Sequence, residues 1–134
     1  MSEQATRRAG SSAASRDGRD GRDGRDEQEA YVETVLSIVE QIPAGRATTY
    51  GIIAEAVGRG GPRQVGRCMA MYGAPVPWWR VVRADGSLPE SHQREAVARY
   101  RQEETPVRGS LADAATLRVD LVAAIWYPQT DDGD

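Results

Sequence analysis

Pro77-Trp78-Trp79-Arg80-Val81-Val82 is the stretch that organises the chain, with two tryptophans between a proline and β-branched residues. It continues into Ala84-Asp85-Gly86-Ser87. Asp-Gly after extended residues predicts a hairpin with a type I′ turn, because both central residues of that turn need positive φ. Adjacent residues of a strand point to opposite faces. One tryptophan can therefore enter the core while the other lines a surface or pocket; the alternative is that both belong to the core.

The composition limits the class of protein. A length of 134 residues argues for one domain. The net charge is −3, yet five arginines and no acidic residue lie between Arg59 and Arg83. Such a stretch suits an anion- or DNA-binding face, although an ordinary solvated surface is the alternative. With one cysteine and one histidine, Cys68 and His92, we expect no disulfide, no metal and no cofactor.

Both ends of the chain differ in composition from its middle. Residues 1–28 are rich in Arg-Asp-Gly repeats and residues 128–134 are acidic, and neither can bury enough apolar area to offset the entropy of ordering. The sequence therefore predicts two disordered tails around one domain at residues 29–127. No apolar run approaches the about 20 residues of a membrane span and no signal peptide is visible, so we expect a cytoplasmic protein.

Helical periodicity and helix-ending residues predict three helices before the tryptophans. The first covers Glu29 to Gln41, the second has Thr48 as N-cap and ends at Gly58, and the third runs from Pro62 to Gly73. The third helix carries an apolar stripe of Val65, Cys68, Met69 and Tyr72, with its other side formed by Arg63, Gln64, Gly66 and Arg67. The pattern predicts a mainly α fold, a winged helix-turn-helix domain with a small β-hairpin wing.

The part after the hairpin is predicted to complete the domain. A fourth helix begins at Pro89 and Ser91 and ends before Thr105, with a mixed face of arginines and glutamates that includes Glu103 and is expected to be solvated. Residues 107–116 are predicted to be a loop. Residues 117–127 form an apolar terminal segment, either a strand or a short helix, that packs on the domain.

Three motifs occur in order and close together: GRATTYGIIAEAVG at residues 45–58, RQVGRCM at 63–69 and VPWWRVVRADGSL at 76–88. Together they resemble the DNA-binding domain of O6-alkylguanine-DNA alkyltransferases, and specifically the alkyltransferase-like proteins. The resemblance covers about residues 30–107, with a weaker similarity at 117–126. The transferases have Pro-Cys-His-Arg-Val where this chain has Trp78 in place of the acceptor cysteine and Trp79 in place of the histidine. An indole offers no thiolate, so the resemblance implies a protein that is not an enzyme.

The resemblance also implies roles for residues of the second and third helices. Tyr50 matches the tyrosine that presses on the phosphate beside the target and helps to rotate the nucleotide out; its alternative is a helix-packing role. Arg63 matches the arginine finger that fills the gap in the base stack; its alternative is a phosphate contact or a surface charge. Gly66 allows the helix backbone to approach the minor groove. The neighbouring Gln64 and Arg67 complete the expected DNA-binding set.

The expected lesion pocket consists of Trp78, Trp79, Val82 and Arg83. One departure from the family concerns this pocket. Better-known alkyltransferase-like proteins have an arginine soon after the hairpin that reaches the alkylated base. This chain is shorter there, and neither His92 nor Arg94 can be matched to that arginine.

The resemblance implies a monomeric, non-enzymatic sensor that binds double-stranded DNA containing O6-alkylguanine, flips the base and hands the site to nucleotide excision repair proteins. We expect it to be nucleoid-associated when bound to DNA, with no membrane partner. Two alternatives stay open from the residues alone. One is a winged-helix transcription regulator, which needs none of Tyr50, Arg63 and Trp78. The other is a residual alkyltransferase, which the absence of an acceptor cysteine disfavours.

Overall fold

The computed structural model describes residues 17–89 and 91–129, with side chains from residue 24 onward. Residues 1–16 and 130–134 of the two expected tails lie outside this part of the chain. The chain divides between residues 33 and 34 into two compact units, and the core and the candidate site described below belong to the second unit. No helix in the described ranges is long and apolar enough to cross a membrane.

Helix α1 covers Asp17–Glu40 and therefore begins well before Glu29, where the sequence predicts its start. Each glycine of the Arg-Asp-Gly repeat weakens a helix by roughly 1 kcal/mol relative to alanine, which is why the sequence places the start after the repeat. The described helical backbone nevertheless includes the repeat from Asp17 onward, and the expected disorder of the tail stays a prediction. In the second unit α1 buries Val35, Ile38 and Val39, which recur at helical spacing.

The second helix begins one residue later than the sequence predicts. Helix α2 covers Tyr50–Val57, and the Thr49 hydroxyl accepts a hydrogen bond from the Ile52 amide at 3.1 Å. Thr49 is therefore the N-cap, and the predicted cap, Thr48, lies fully buried in strand β1 (Thr48–Thr49). The helix ends as predicted at Gly58, whose φ of 90° suits glycine.

Helix α3 covers Pro62–Tyr72 and has the predicted bounds. It packs against α2 through a tight turn, which gives the predicted helix-turn-helix. Its buried residues are Val65, Cys68 and Met69, as the periodicity indicates. The fourth member of the predicted stripe, Tyr72, is 41% exposed. Periodicity identifies residues that share a face, but it does not tell where the covering neighbours end, and here they end before the last turn.

The predicted hairpin turn forms at residues 83–87, with a three-residue loop in place of the expected two-residue one. Strand β2 (Val81–Val82) pairs with β1 in parallel rather than with a returning strand. The amide of Gly86 donates to the Arg83 carbonyl at 2.8 Å, and the amide of Arg83 donates to the Ser87 carbonyl at 3.1 Å. Gly86 has a φ of 84° whereas Asp85 does not have positive φ, so the predicted type I′ turn is wrong. The arrangement is a type I turn followed by a left-handed glycine.

The remaining elements close the domain. Helix α4 covers Gln93–Glu103, begins after the predicted start at Pro89–Ser91 and ends before Thr105 as predicted. Strand β3 (Val107–Arg108) lies within the predicted loop and pairs antiparallel with β4 (Arg118–Val119). A short helix, α5 (Leu121–Ala124), follows, so the terminal segment contains both a strand and a helix.

The core of the second unit is built around α4 and the second tryptophan. Trp79 is 8% exposed and belongs to one cluster with residues from β2, α4, β4 and α5. Those residues include Val82, Tyr100, Leu117 and Val119. This core fixes the position of the segment before β2, and with it one wall of the groove described next.

Candidate nucleic-acid interface and base pocket

An open groove of about 1020 Å³ lies beside α3. One wall is α3, and the other wall consists of the residues around Trp78, the turn before β2 and the start of α4. The side chains and backbone that α3 contributes share one face of the helix: Pro62, Arg63, Gly66, Met69 and Ala70. The volume is at the upper end of the roughly 300–1,000 Å³ of small-molecule pockets, so a purine base fits in it.

Of the nine residues that the sequence proposes as the site, the structure brings five to this groove: Tyr50, Arg63, Gly66, Trp78 and Arg83. Gln64 and Arg67 are exposed on α3 but do not line the groove. Helical geometry explains this, because successive residues are about 100° apart and Gln64 and Arg67 lie beyond the groove-facing positions. Gln64 and Arg67 therefore occupy the shoulder of α3 rather than the pocket.

Tyr50 and Gly66 meet where α2 crosses α3. A Cβ atom added to Gly66 would lie 3.9 Å from Cδ1 of Tyr50, which is ordinary van der Waals contact. The protein itself therefore has room for a side chain at Gly66. Because glycine has no side chain, the helix backbone lines the groove at this residue. Burial raises the pKa of Tyr50, and the charge of Arg83 opposes this shift only in part. The Tyr50 hydroxyl accordingly keeps its proton and can donate a hydrogen bond to a phosphate oxygen.

The two tryptophans have separate environments. Trp78 is half-buried and lines the groove, whereas Trp79 lies in the core. Their rings meet edge to face, with centroids 5.6 Å apart and planes at 86°. They occupy a 3-10 turn, Trp78–Arg80, rather than a strand. Trp79 and Val82, which the sequence assigns to the lesion pocket, do not line this groove, because both side chains pack in the core cluster with residues of α4.

Glu103 anchors Trp79, a connection that sequence analysis misses. Its carboxylate accepts hydrogen bonds from the Trp79 indole at 3.0 Å, the Gly45 amide at 3.1 Å and the Arg80 guanidinium. Tyr100 donates its hydroxyl proton to the Trp79 carbonyl at 2.6 Å. Burial alone would raise the pKa of Glu103, but these hydrogen bonds outweigh it and the pKa is lowered. Glu103 therefore remains ionised and holds the indole whose edge meets Trp78.

The signal that could have found this cluster is weak. On α4, Glu103 belongs to a run of arginines and glutamates that the sequence places in solvent. It lies 24 residues from Trp79 and 58 from Gly45, so no local pattern connects them. Only its position three residues after the buried Tyr100, on the same side of the helix, hints at a less exposed environment.

Two side chains that could contact a bound base, Arg83 and His92, line the groove between β2 and α4. Arg83 lines it, and one guanidinium nitrogen lies 3.4 Å from the Leu88 carbonyl. His92 lines it next to Trp78, with ring centroids 5.9 Å apart. Arg94 is exposed on α4 and does not line it. Among residues 24–89 and 91–129, no group of three or more His, Cys, Asp or Glu side chains could hold a metal ion.

The chain has recognisable relatives. The family described as 6-O-methylguanine DNA methyltransferase, DNA binding domain, matches residues 30–105. A curated DNA base-flipping protein of Vibrio parahaemolyticus is 32% identical over 63 residues, which cover 45% of this chain and 63% of that protein. The chain thus spans somewhat less than two thirds of that relative's length.

Solved structures of S. pombe proteins give the same result at the level of the fold. Atl1 in complex with damaged DNA containing O6-carboxymethylguanine has a TM-score of 0.64 and 26% identity. The S. pombe ATL in complex with DNA has a TM-score of 0.63 and 28% identity. Each match covers 75% of this chain and 97% of the other. The chain therefore belongs to the DNA-binding-domain family of 6-O-methylguanine DNA methyltransferases, and within it is an alkyltransferase-like protein.

Proposed function

We propose that the protein is a non-enzymatic sensor that binds O6-alkylguanine in duplex DNA, extrudes the base into the groove beside Trp78 and marks the site for nucleotide excision repair. The observation that carries this proposal is the composition of the groove. One wall has the indole of Trp78, which the sequence resemblance matches to the acceptor cysteine of the transferases, and the opposite wall has the bare backbone at Gly66.

Arg63 and Tyr50 contribute to base extrusion in different ways. Arg63 is exposed near the start of α3, where a planar guanidinium can enter the base stack and bond to the orphaned base. Tyr50 is held against Gly66 and keeps a hydroxyl proton for a phosphate. Extrusion costs a few kcal/mol of stacking and pairing, and the cost is lower for a base whose pairing edge is already alkylated. This difference favours the lesion before any pocket contact forms.

The groove has no cysteine thiol to accept an alkyl group. The single cysteine, Cys68, is buried on the core side of α3, and burial raises the pKa of its thiol, which disfavours the reactive thiolate. The Trp78→Cys substitution alone is not expected to create a transferase, because Trp79 stands in the core where an activating histidine would be needed. A sensor without chemistry needs a downstream repair system, and this is why the proposal includes excision repair.

The test compares one duplex that contains O6-methylguanine with the same duplex unmodified. The proposal expects tighter binding to the lesion duplex and no gain of one methyl mass in the intact protein after incubation. Equal affinity for both duplexes would instead support a transcription regulator, and a methyl adduct on the protein would support a transferase. Reconstituted incision of the lesion duplex by excision-repair proteins, with and without this protein, tests the handover.

A further inference from the structure

His92 reaches the groove from the segment after the hairpin, where no residue of this chain can be matched to the arginine of the better-known alkyltransferase-like proteins. It lies just before α4 and lines the groove, with its ring tilted by 53° against Trp78. His92 and Arg94, the two candidates in this segment, are both exposed, but Arg94 does not line the groove. The fold therefore brings the only histidine of the chain, rather than the nearby arginine, to the expected base pocket.

The backbone at His92 is unusual for a residue that begins a helix. His92 has φ 61° and ψ 34°, in the left-handed region, and its side chain forms no capping hydrogen bond. Among residues 17–89 and 91–129, the other non-glycine residue with positive φ is Glu104. Glu104 ends α4, where this conformation is common, whereas the residue before a helix is normally extended. Such backbone strain is concentrated at functional sites.

The two rings form adjacent walls rather than a sandwich. Their centroids are 5.9 Å apart, and a base stacked between two rings would need about 7 Å. A base in the groove can therefore stack on only one of them, and the apolar surface of Trp78 suits its face. The imidazole of His92 then has its ring nitrogens available for the polar edge of the base.

We propose that His92 reads the extruded base at its O6 and N1 edge and thereby sets the preference for O6-alkylguanine over guanine; this inference rests on the function proposed above. Guanine carries a proton on N1, but alkylation at O6 removes it and leaves N1 as an acceptor. A ring N–H of His92 donates to that acceptor in the alkylated base, whereas guanine presents a donor at N1, which the imidazole can satisfy only after its proton moves to the other ring nitrogen. The His92 tautomer that binds the lesion therefore repels N1–H of guanine, and guanine binds only at the cost of the tautomer change.

The test uses His92→Gly in the full chain, with Arg94→Ala as matched control. Glycine suits the left-handed backbone, so the variant is expected to fold and to melt at or above the wild-type temperature. The ratio of dissociation constants for undamaged and O6-methylguanine duplexes should fall by about fivefold, the scale of one hydrogen bond. Arg94→Ala should leave this ratio unchanged.

The single histidine also provides a direct readout. In NMR spectra, the imidazole C–H signals of His92 should shift in the complex with the lesion duplex and differ from those in the complex with undamaged DNA. If wild type does not distinguish the two duplexes, the proposed function fails and this inference with it. If wild type distinguishes them but His92→Gly keeps the ratio, or the imidazole signals are identical in both complexes, only the assignment of His92 is overturned.

Discussion

Gly66→Ala separates the stability of α3 from its approach to DNA. Alanine in place of a helical glycine stabilises a helix by about 0.5–1 kcal/mol, and the new Cβ would meet only the Tyr50 ring, at 3.9 Å and 4.0 Å. Nothing in the protein opposes the substitution. We therefore expect the melting temperature to rise by about 4 °C, the shift that such a gain produces in a domain of this size.

The same methyl group is added at a residue that lines the groove, where we expect the DNA backbone to come closest. Overpacking of a fitted contact typically costs about 1–3 kcal/mol, so affinity for duplex DNA should fall by about tenfold or more. The assay combines thermal unfolding with fluorescence anisotropy on lesion and undamaged duplexes. Gly51→Ala is the matched control, because its Cβ would also meet only ordinary contacts, the nearest at 3.8 Å, and Gly51 does not line the groove.

Two results would refute this reasoning about Gly66. A lower melting temperature would mean that the protein itself, rather than DNA, requires the glycine. Unchanged DNA affinity in the stabilised variant would mean that DNA does not approach α3 at this residue. A loss of affinity in Gly51→Ala as large as that in Gly66→Ala would also remove the distinction between the groove and its surroundings.

Three further predictions follow from the positions of charged residues. Arg63→Ala should weaken binding to the lesion duplex more than binding to the undamaged duplex, and it should abolish the rise of 2-aminopurine fluorescence beside the lesion. Arg63→Lys should rescue binding poorly, because lysine cannot stack. An unchanged fluorescence signal in Arg63→Ala would mean that Arg63 is only a surface charge. Arg67→Ala should weaken both duplexes equally and reduce the slope of log affinity against log salt; an effect confined to the lesion duplex would contradict its place on the shoulder of α3. Glu103→Ala should lower the free energy of unfolding by about 3 kcal/mol. The substitution removes the hydrogen-bond acceptor of the Trp79 indole and the ion-pair partner of the Arg80 guanidinium. Because folding lowers the pKa of Glu103, the contribution of this carboxylate to the stability of the fold is complete above the ordinary glutamate pKa and is lost as pH falls through the lower folded value. The melting temperatures of wild type and variant should therefore converge only in acid.

Sequence analysis locates α3 and the residues that face the groove because the signals are local. Pro62 and Gly73 bracket the helix, and a 3.6-residue period separates the buried stripe from Arg63 and Gly66. The same local rules fail by one residue at the start of α2. Thr48 and Thr49 are equally good caps, and because the pairing of β1 with β2 ends at Thr49, this residue becomes the N-cap of α2.

The sequence by itself determines that two adjacent tryptophans follow a basic helix-turn-helix. Only the tertiary structure decides that Trp78 lines the groove while Trp79 lies in the core with its indole hydrogen-bonded to Glu103. It also decides that His92 rather than Arg94 lines the groove. The physical reason is the range of the interactions. Helix periods and end signals act within a few residues, whereas the Glu103 hydrogen bonds join residues 24 and 58 positions apart, and such pairings exist only once the chain has folded.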